Sequence, residues 1–163
     1  MASGQTLITV DMRQAIRPAS NAADFQKRNG LPVLYFDTTT AENVYFLLLM
    51  PRNYAGGGVT VYLHTVSKTL TSGTLQWSVY FDRIGTSLDI DGNSYAAAQD
   101  TTADSVSGTN SGIVTIQSAA FTNGAQMDSV AVGELFFLKV ERKVSGDNLA
   151  EDGGLLGIEI KET

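Results

Sequence analysis

The stretch "TLQWSVYFDRI" (Thr74 to Ile84) puts Leu75, Trp77, Val79 and Phe81 on one side of an extended chain, and Gln76, Ser78, Tyr80 and Asp82 on the other. Successive side chains of a strand point to opposite faces. A period of two over this length therefore predicts a half-buried strand, with one face on a core and the other near water. The rest of the chain can be read outward from it.

Upstream lie "PVLYFD" (Pro32 to Asp37), "NVYFLLLM" (Asn43 to Met50) and "VTVYLHTV" (Val59 to Val66), where Val59, Val61 and Leu63 share a face. Downstream, "SYAAAQD" (Ser94 to Asp100) and "ADSVSG" (Ala103 to Gly108) are weak strands, and "GIVTIQSAAF" (Gly112 to Phe121) is a stronger one. "ELFFLKVERKV" (Glu134 to Val144) turns Phe136, Leu138 and Val140 inward, and "LLGIEIKE" (Leu155 to Glu162) aligns Leu156, Ile158 and Ile160. Glycine-, asparagine- and serine-rich joints separate them, among them "RNYAGGG", "DIDGN" and "TNGAQ". No segment keeps helical apolar spacing for ~10 residues. The expectation is an all-β chain, an antiparallel β-sandwich or jelly roll of about eight strands.

Residues 1–30 read differently. "TLITV" (Thr6 to Val10) has strand character, but the residues after it are mixed and polar, with isolated Met12, Ile16 and Phe25 and a break at Pro18. Too few apolar residues are present to build a separate core. The expected division is an extended N-terminal arm over 1–30 and a sandwich domain over 31–163. Met12, Ile16 and Phe25 are the arm's candidate anchors on a partner surface.

Composition closes off several functions. The chain has 163 residues, a formal net charge of -6 and 11 basic residues, and these form no stripe that could neutralise a phosphate backbone. Nucleic acid is not an expected partner, and neither is an anionic membrane. The longest apolar run, "VYFLLLM", is seven residues and ends at Pro51, whereas a spanning helix needs about 20. Without cysteine there is neither a disulfide framework nor a thiolate metal site.

Candidate chemistry is thin. "AGGGVTV" runs straight into a strand, where a phosphate-cradling loop would open a helix. His64, the single histidine, shares a face with Tyr62 and Thr60 and has no companion ligand, so it reads as a surface or inter-subunit residue. In "DIDGNSYAAAQD", Asp89, Asp91, Asn93 and Asp100 fall at positions 1, 3, 5 and 12 of a calcium-loop spacing. Ser94 stands where that loop wants glycine, however, and Asp91-Gly92 is a hairpin turn in its own right. A calcium site of loop oxygens outside the EF-hand frame stays open; otherwise neither metal nor cofactor is expected. Tyr54, Tyr62, Tyr80 and Tyr95 are candidates for stacking on sugar rings, with packing as the simpler reading. No set of catalytic residues emerges, so no enzyme is expected.

The runs "PVLYFDTTTAENVYFLLLMPRNYAGGGVTVYLHTV", "SGTLQWSVYFDRIG" and "AFTNGAQMDSVAVGELFFLKVERK", with the ending "LLGIEIKE", resemble small β-sandwich proteins of tailed bacteriophages and prophages. The resemblance covers residues 31–163 and implies a virion structural protein, assembled in the host bacterial cytoplasm. The leading expectation is a capsid cement, or decoration, protein that stabilises the outer head surface as a homotrimer bound to the major capsid protein. The alternative is a tail-fibre or receptor-binding module recognising host surface glycans.

Overall fold

The structure, a computed structural model, describes residues 4–92 and 94–163. Among these the strands are β1 (Thr6–Asp11), β2 (Asp24–Arg28), β3 (Leu31–Phe36), β4 (Asn43–Leu49), β5 (Val59–Ser67), β6 (Thr74–Leu75), β7 (Trp77–Ile84), β8 (Gln99–Asp100), β9 (Asp104–Ser105), β10 (Thr115–Phe121), β11 (Leu135–Arg142) and β12 (Gly153–Glu162). Among the described residues three single turns of 3₁₀-helix, and no α-helix, interrupt them. One sheet runs β10-β5-β12-β3-β2, with β1 also paired to β12. The second runs β4-β11-β7-β8, and β6 with β9 makes a small ribbon. Every strand pair is antiparallel. The all-β sandwich expected from the alternation is the observed fold.

The core lies where the two inner faces meet. Val59, Val61, Leu63, Ile158 and Ile160 of the first sheet are buried, as are Phe46, Trp77, Val79, Phe81, Phe136 and Leu138 of the second. Aromatic edges cross the gap. Phe36 meets Trp77 at 4.9 Å and 84°, and Phe81 meets Phe121 at 4.8 Å and 68°. Burying one such side chain is worth about 1.5–3 kcal/mol, so the alternation itself supplies the drive to pair the sheets.

β12 departs from strict alternation. Leu155 pairs with Thr65 and Gly157 with His64, so one extra residue is inserted between them. This bulge reverses the parity. Leu155, Ile158 and Ile160 face the core, while Leu156 turns outward to pack beside Val33, Tyr35 and Val66.

The N-terminal segment is not a free arm, which corrects the division expected from sequence. β1 pairs with β12 from Thr6 to Asp11, and β2 pairs with β3 from Asp24 to Arg28. Between them Ile16 exchanges backbone hydrogen bonds with Tyr45 at 2.8 and 2.9 Å. Met12 is wholly buried in the core, whereas Ile16 and Phe25 remain exposed. The physical reason is edge pairing: without β1, half of the longest strand would present unsatisfied backbone groups to solvent.

At the other end of the sandwich Arg142 is buried on the inner face of β11. Its guanidinium binds both oxygens of Asp147, at 2.8 and 3.1 Å, with the pair almost fully excluded from water. The remaining donors reach the carbonyls of Phe36 (3.1 Å), Leu149 (2.8 Å) and Glu151 (2.6 Å). All five N–H groups of the planar fork are thereby used.

Arg142→Met, which strands Asp147 without its partner, should lower unfolding free energy by about 3–5 kcal/mol in urea titration. The double variant with Asp147→Leu should recover part of that loss; equal loss in both would refute the stranded-charge explanation. A chain beginning at Leu31 should lose cooperative thermal unfolding, because it lacks β1, β2 and Met12, the last alone worth about 2–5 kcal/mol.

Candidate functional site

The residues that alternate with the core strands form the outer face of the second sheet, and strand register arranges them in cross-strand rows. Asn43, Glu141 and Ser78 lie abreast on β4, β11 and β7; next come Tyr45, Lys139 and Tyr80, then Leu47, Phe137 and Asp82, then Leu49, Leu135 and Ile84. The face therefore grades from polar to aromatic to aliphatic over four rows. Leu47, Leu49 and Leu135 are exposed at the aliphatic end.

A loop brings in a further ring. The Ala96 amide donates to the Phe81 carbonyl at 2.8 Å, which holds residues 94–98 along the edge of β7. Tyr95 is thereby laid over the second row. Its ring stacks on Tyr45 at 6.0 Å and 18°, and meets Tyr80 edge-on at 6.2 Å and 74°. Phe137 adds an edge to Tyr45 at 6.4 Å. Lys139 places its ammonium 4.0 Å from the Tyr80 ring centre and 5.4 Å from that of Tyr95, and pairs with Glu141 at 3.3 Å. Glu141 also accepts the Tyr80 hydroxyl at 3.2 Å. Cation–π contact and the carboxylate hold these side chains in one arrangement.

Burial raises the Tyr80 phenol above its ordinary value, with the Glu141 charge adding to the effect. Burial does the same more strongly to Tyr95, helped by Tyr45 and Asp82. Both phenols stay neutral, and so able to donate, throughout the physiological range. The result is a half-exposed aromatic platform with an ammonium, a carboxylate and hydroxyls at its margin. It suits a ligand with apolar ring faces and a hydroxylated edge.

Other sequence candidates fall elsewhere. Tyr54 is buried, not an exposed loop ring. Its hydroxyl accepts the Gly58 amide at 3.0 Å and bonds Asn123 at 3.2 Å, so it anchors the glycine loop. Gly58 itself sits at φ +99°, and a Cβ there would come within 2.5 Å of the Phe121 carbonyl oxygen. Tyr62 and His64 lie on the outer face of the first sheet, opposite Ser118 and Ile116. Among the described residues, Asp89, Asp91 and Asp100 of the calcium-loop spacing are not brought together to hold a metal. Asp89 accepts the Asp91 amide at 3.0 Å, Asp100 is held by Ser78 and Lys143, and Asn93 lies outside the described residues. Among the described residues no group of three or more histidine, cysteine or acidic side chains is placed to hold a metal, and no helix is long and apolar enough to cross a membrane.

Parity or loop position in the sequence points to Tyr80 and Tyr95 but passes over Tyr45, Phe137 and Lys139. The available signal was their alternation with buried Val44, Phe46, Leu138 and Val140. It became a platform only once β4 and β11 were known to be neighbours.

No protein-family model and no curated protein matches the chain. Solved structures do. The xylan-binding module CBM15 superposes with a TM-score of 0.52 at 10% identity, over 96% of this chain and 96% of that one. The K3 cleaved adhesin domain of Lys-gingipain from Porphyromonas gingivalis w83 gives 0.51 at 13%, over 97% and 100%. At such identities the likeness establishes the fold, a β-sandwich of the jelly-roll type. It also corrects the head-cement expectation, with its capsid-protein partner. Structures this chain resembles include a carbohydrate-binding module and an adhesin domain, neither of them a capsid protein.

Tyr54 separates a structural role from a binding role. Tyr54→Phe should cost about 1 kcal/mol through the lost Gly58 bond. Tyr54→Ala should cost about 3–5 kcal/mol through the cavity. Thermal and urea unfolding measure both, and an unchanged transition for Tyr54→Ala would make this residue a candidate ligand contact again.

Proposed function

We propose that this protein is a glycan-binding module that grips saccharide on the outer face of the β4-β11-β7-β8 sheet. The observation that carries the reading is the Tyr45–Tyr95 stack, edged by Tyr80 and Phe137 and flanked by Lys139 and Glu141. Pyranose rings expose C–H faces that pack on aromatic surface, while their hydroxyls need donors and acceptors at the rim. A platform already held by internal contacts loses little conformational entropy on binding. The sandwich shared with a xylan-binding module supports the reading at the level of fold. The phage resemblance read from sequence fits the same role, with polysaccharide of a bacterial host surface as ligand and binding without turnover as the activity.

Affinity electrophoresis against a panel of neutral and acidic polysaccharides, xylan included, tests this. At least one polysaccharide should retard the protein, and Tyr45→Ala and Tyr95→Ala should each weaken the effect about tenfold, as expected for one lost aromatic contact. Tyr62→Ala, on the opposite sheet, should leave it unchanged. Absence of retardation across the panel, or loss with Tyr62→Ala alone, would overturn the proposal.

A further inference from the structure

Beside the platform, a cleft of about 340 Å³ opens between the end of β7 and the turn after the last 3₁₀ segment (Ala125–Met127), and its walls include Asp82, Gly92, Ser94, Asp128 and Ser129. Asp82 belongs to the third cross-strand row, and Leu88 and Gly92 line the same cleft. Only 4% of its surface is exposed, and its Oδ1 is fully buried with no hydrogen-bond donor. A buried carboxylate oxygen without a partner costs several kcal/mol on general grounds, and native structures retain such a group for a reason. Burial and the nearby charge of Asp128 both push the Asp82 carboxyl above its ordinary range.

The cations close at hand do not answer this charge. Arg83 lines the same cleft, but its guanidinium is committed to Glu134 through bonds of 2.6 and 2.5 Å. Asp128 takes the Arg83 amide on Oδ2 at 2.7 Å, which fixes the carboxylate while its Oδ1 makes no such bond among the described residues. Asp82 and Asp128 thus line one cleft together with Ser94 and Ser129, whose side chains also end in oxygen. The donors are all oxygen. Zinc and copper prefer nitrogen and sulfur, whereas calcium takes six to eight oxygens, water among them, in flexible geometry.

We propose that Asp82 and Asp128 hold a calcium ion in this cleft. The site is separate from the Asp89–Asp100 spacing that the sequence suggested, and it does not depend on glycan recognition. Two carboxylates and neutral oxygens correspond to the weaker calcium sites, with Kd of about 10⁻⁴–10⁻³ M. The ion would neutralise the Asp82–Asp128 repulsion and tie β7 to the chain that carries Ser94 and, one residue on, Tyr95.

Calorimetric titration of calcium chloride into the EDTA-treated 163-residue chain tests the assignment, with thermal unfolding in parallel. The wild-type chain should give saturable heat and a rise in Tm, larger with calcium than with magnesium. Asp82→Asn is nearly isosteric and should fold, yet give neither response; circular dichroism checks the fold. Asp128→Asn should also abolish both, and Asp89→Asn should retain them. No saturable heat and no Tm rise up to about 10 mM calcium, well above that affinity range, would overturn the proposal. A response undiminished in Asp82→Asn, or a stronger one with magnesium, would overturn it equally.

Discussion

The closed fork of Arg142 is the constraint on which the two-sheet arrangement turns. A guanidinium sealed from water is tolerable only if every N–H is bonded and its charge is matched. Here Asp147 supplies the charge, and three carbonyls supply the remaining acceptors. Those carbonyls belong to Phe36, at the end of β3, and to Leu149 and Glu151, on the crossover into β12. One side chain at the end of β11 therefore sets where the second sheet hands the chain back to the first. Glu151 carries the order onward by accepting from Ser67, Thr69 and Leu70, which holds the turn after β5.

With the sheets so fixed, the outer face of β4, β11 and β7 becomes a surface of defined chemistry. The same period of two that sends Phe46, Leu138 and Phe81 into the core sends Tyr45, Lys139 and Tyr80 outward in one row. Core packing and site construction are thus a single register, and a slip of one residue would exchange the two faces. The Tyr95 loop and the Ile16 segment flank this sheet on opposite sides, one over β7 and the other along β4. The N-terminal residues therefore contribute to the setting of the platform and do not reach away from it.

Much of the fold was legible in the chain because alternation reports directly on which side of a strand is buried. Val59, Val61 and Leu63 face inward as read, as do Leu75, Trp77, Val79 and Phe81. Reading failed where the signal was not periodic. The bulge at Leu156 reverses parity within β12, and nothing local in "LLGIEIKE" announces it. The segment 1–30 looked too polar to fold because its partners are β12 and β3, remote in sequence; strands that borrow their core from distant neighbours need few apolar residues of their own. Tyr54 looked like a loop ring because burial by Met127 and the Asn123 turn cannot be inferred from its neighbours in the chain.

By itself, then, the sequence determined the class of fold, the inward set of each long strand and the exclusion of thiolate and transmembrane-helix chemistry, because these arise from composition and from a period that any extended chain must obey. The tertiary structure decided which strands lie side by side. That decision brought Tyr45, Tyr80, Tyr95, Phe137 and Lys139 onto one face, and set Asp82 and Asp128 along one cleft. Such groupings depend on pairings between strands distant in the chain, where side-chain chemistry is combined by register and not by spacing.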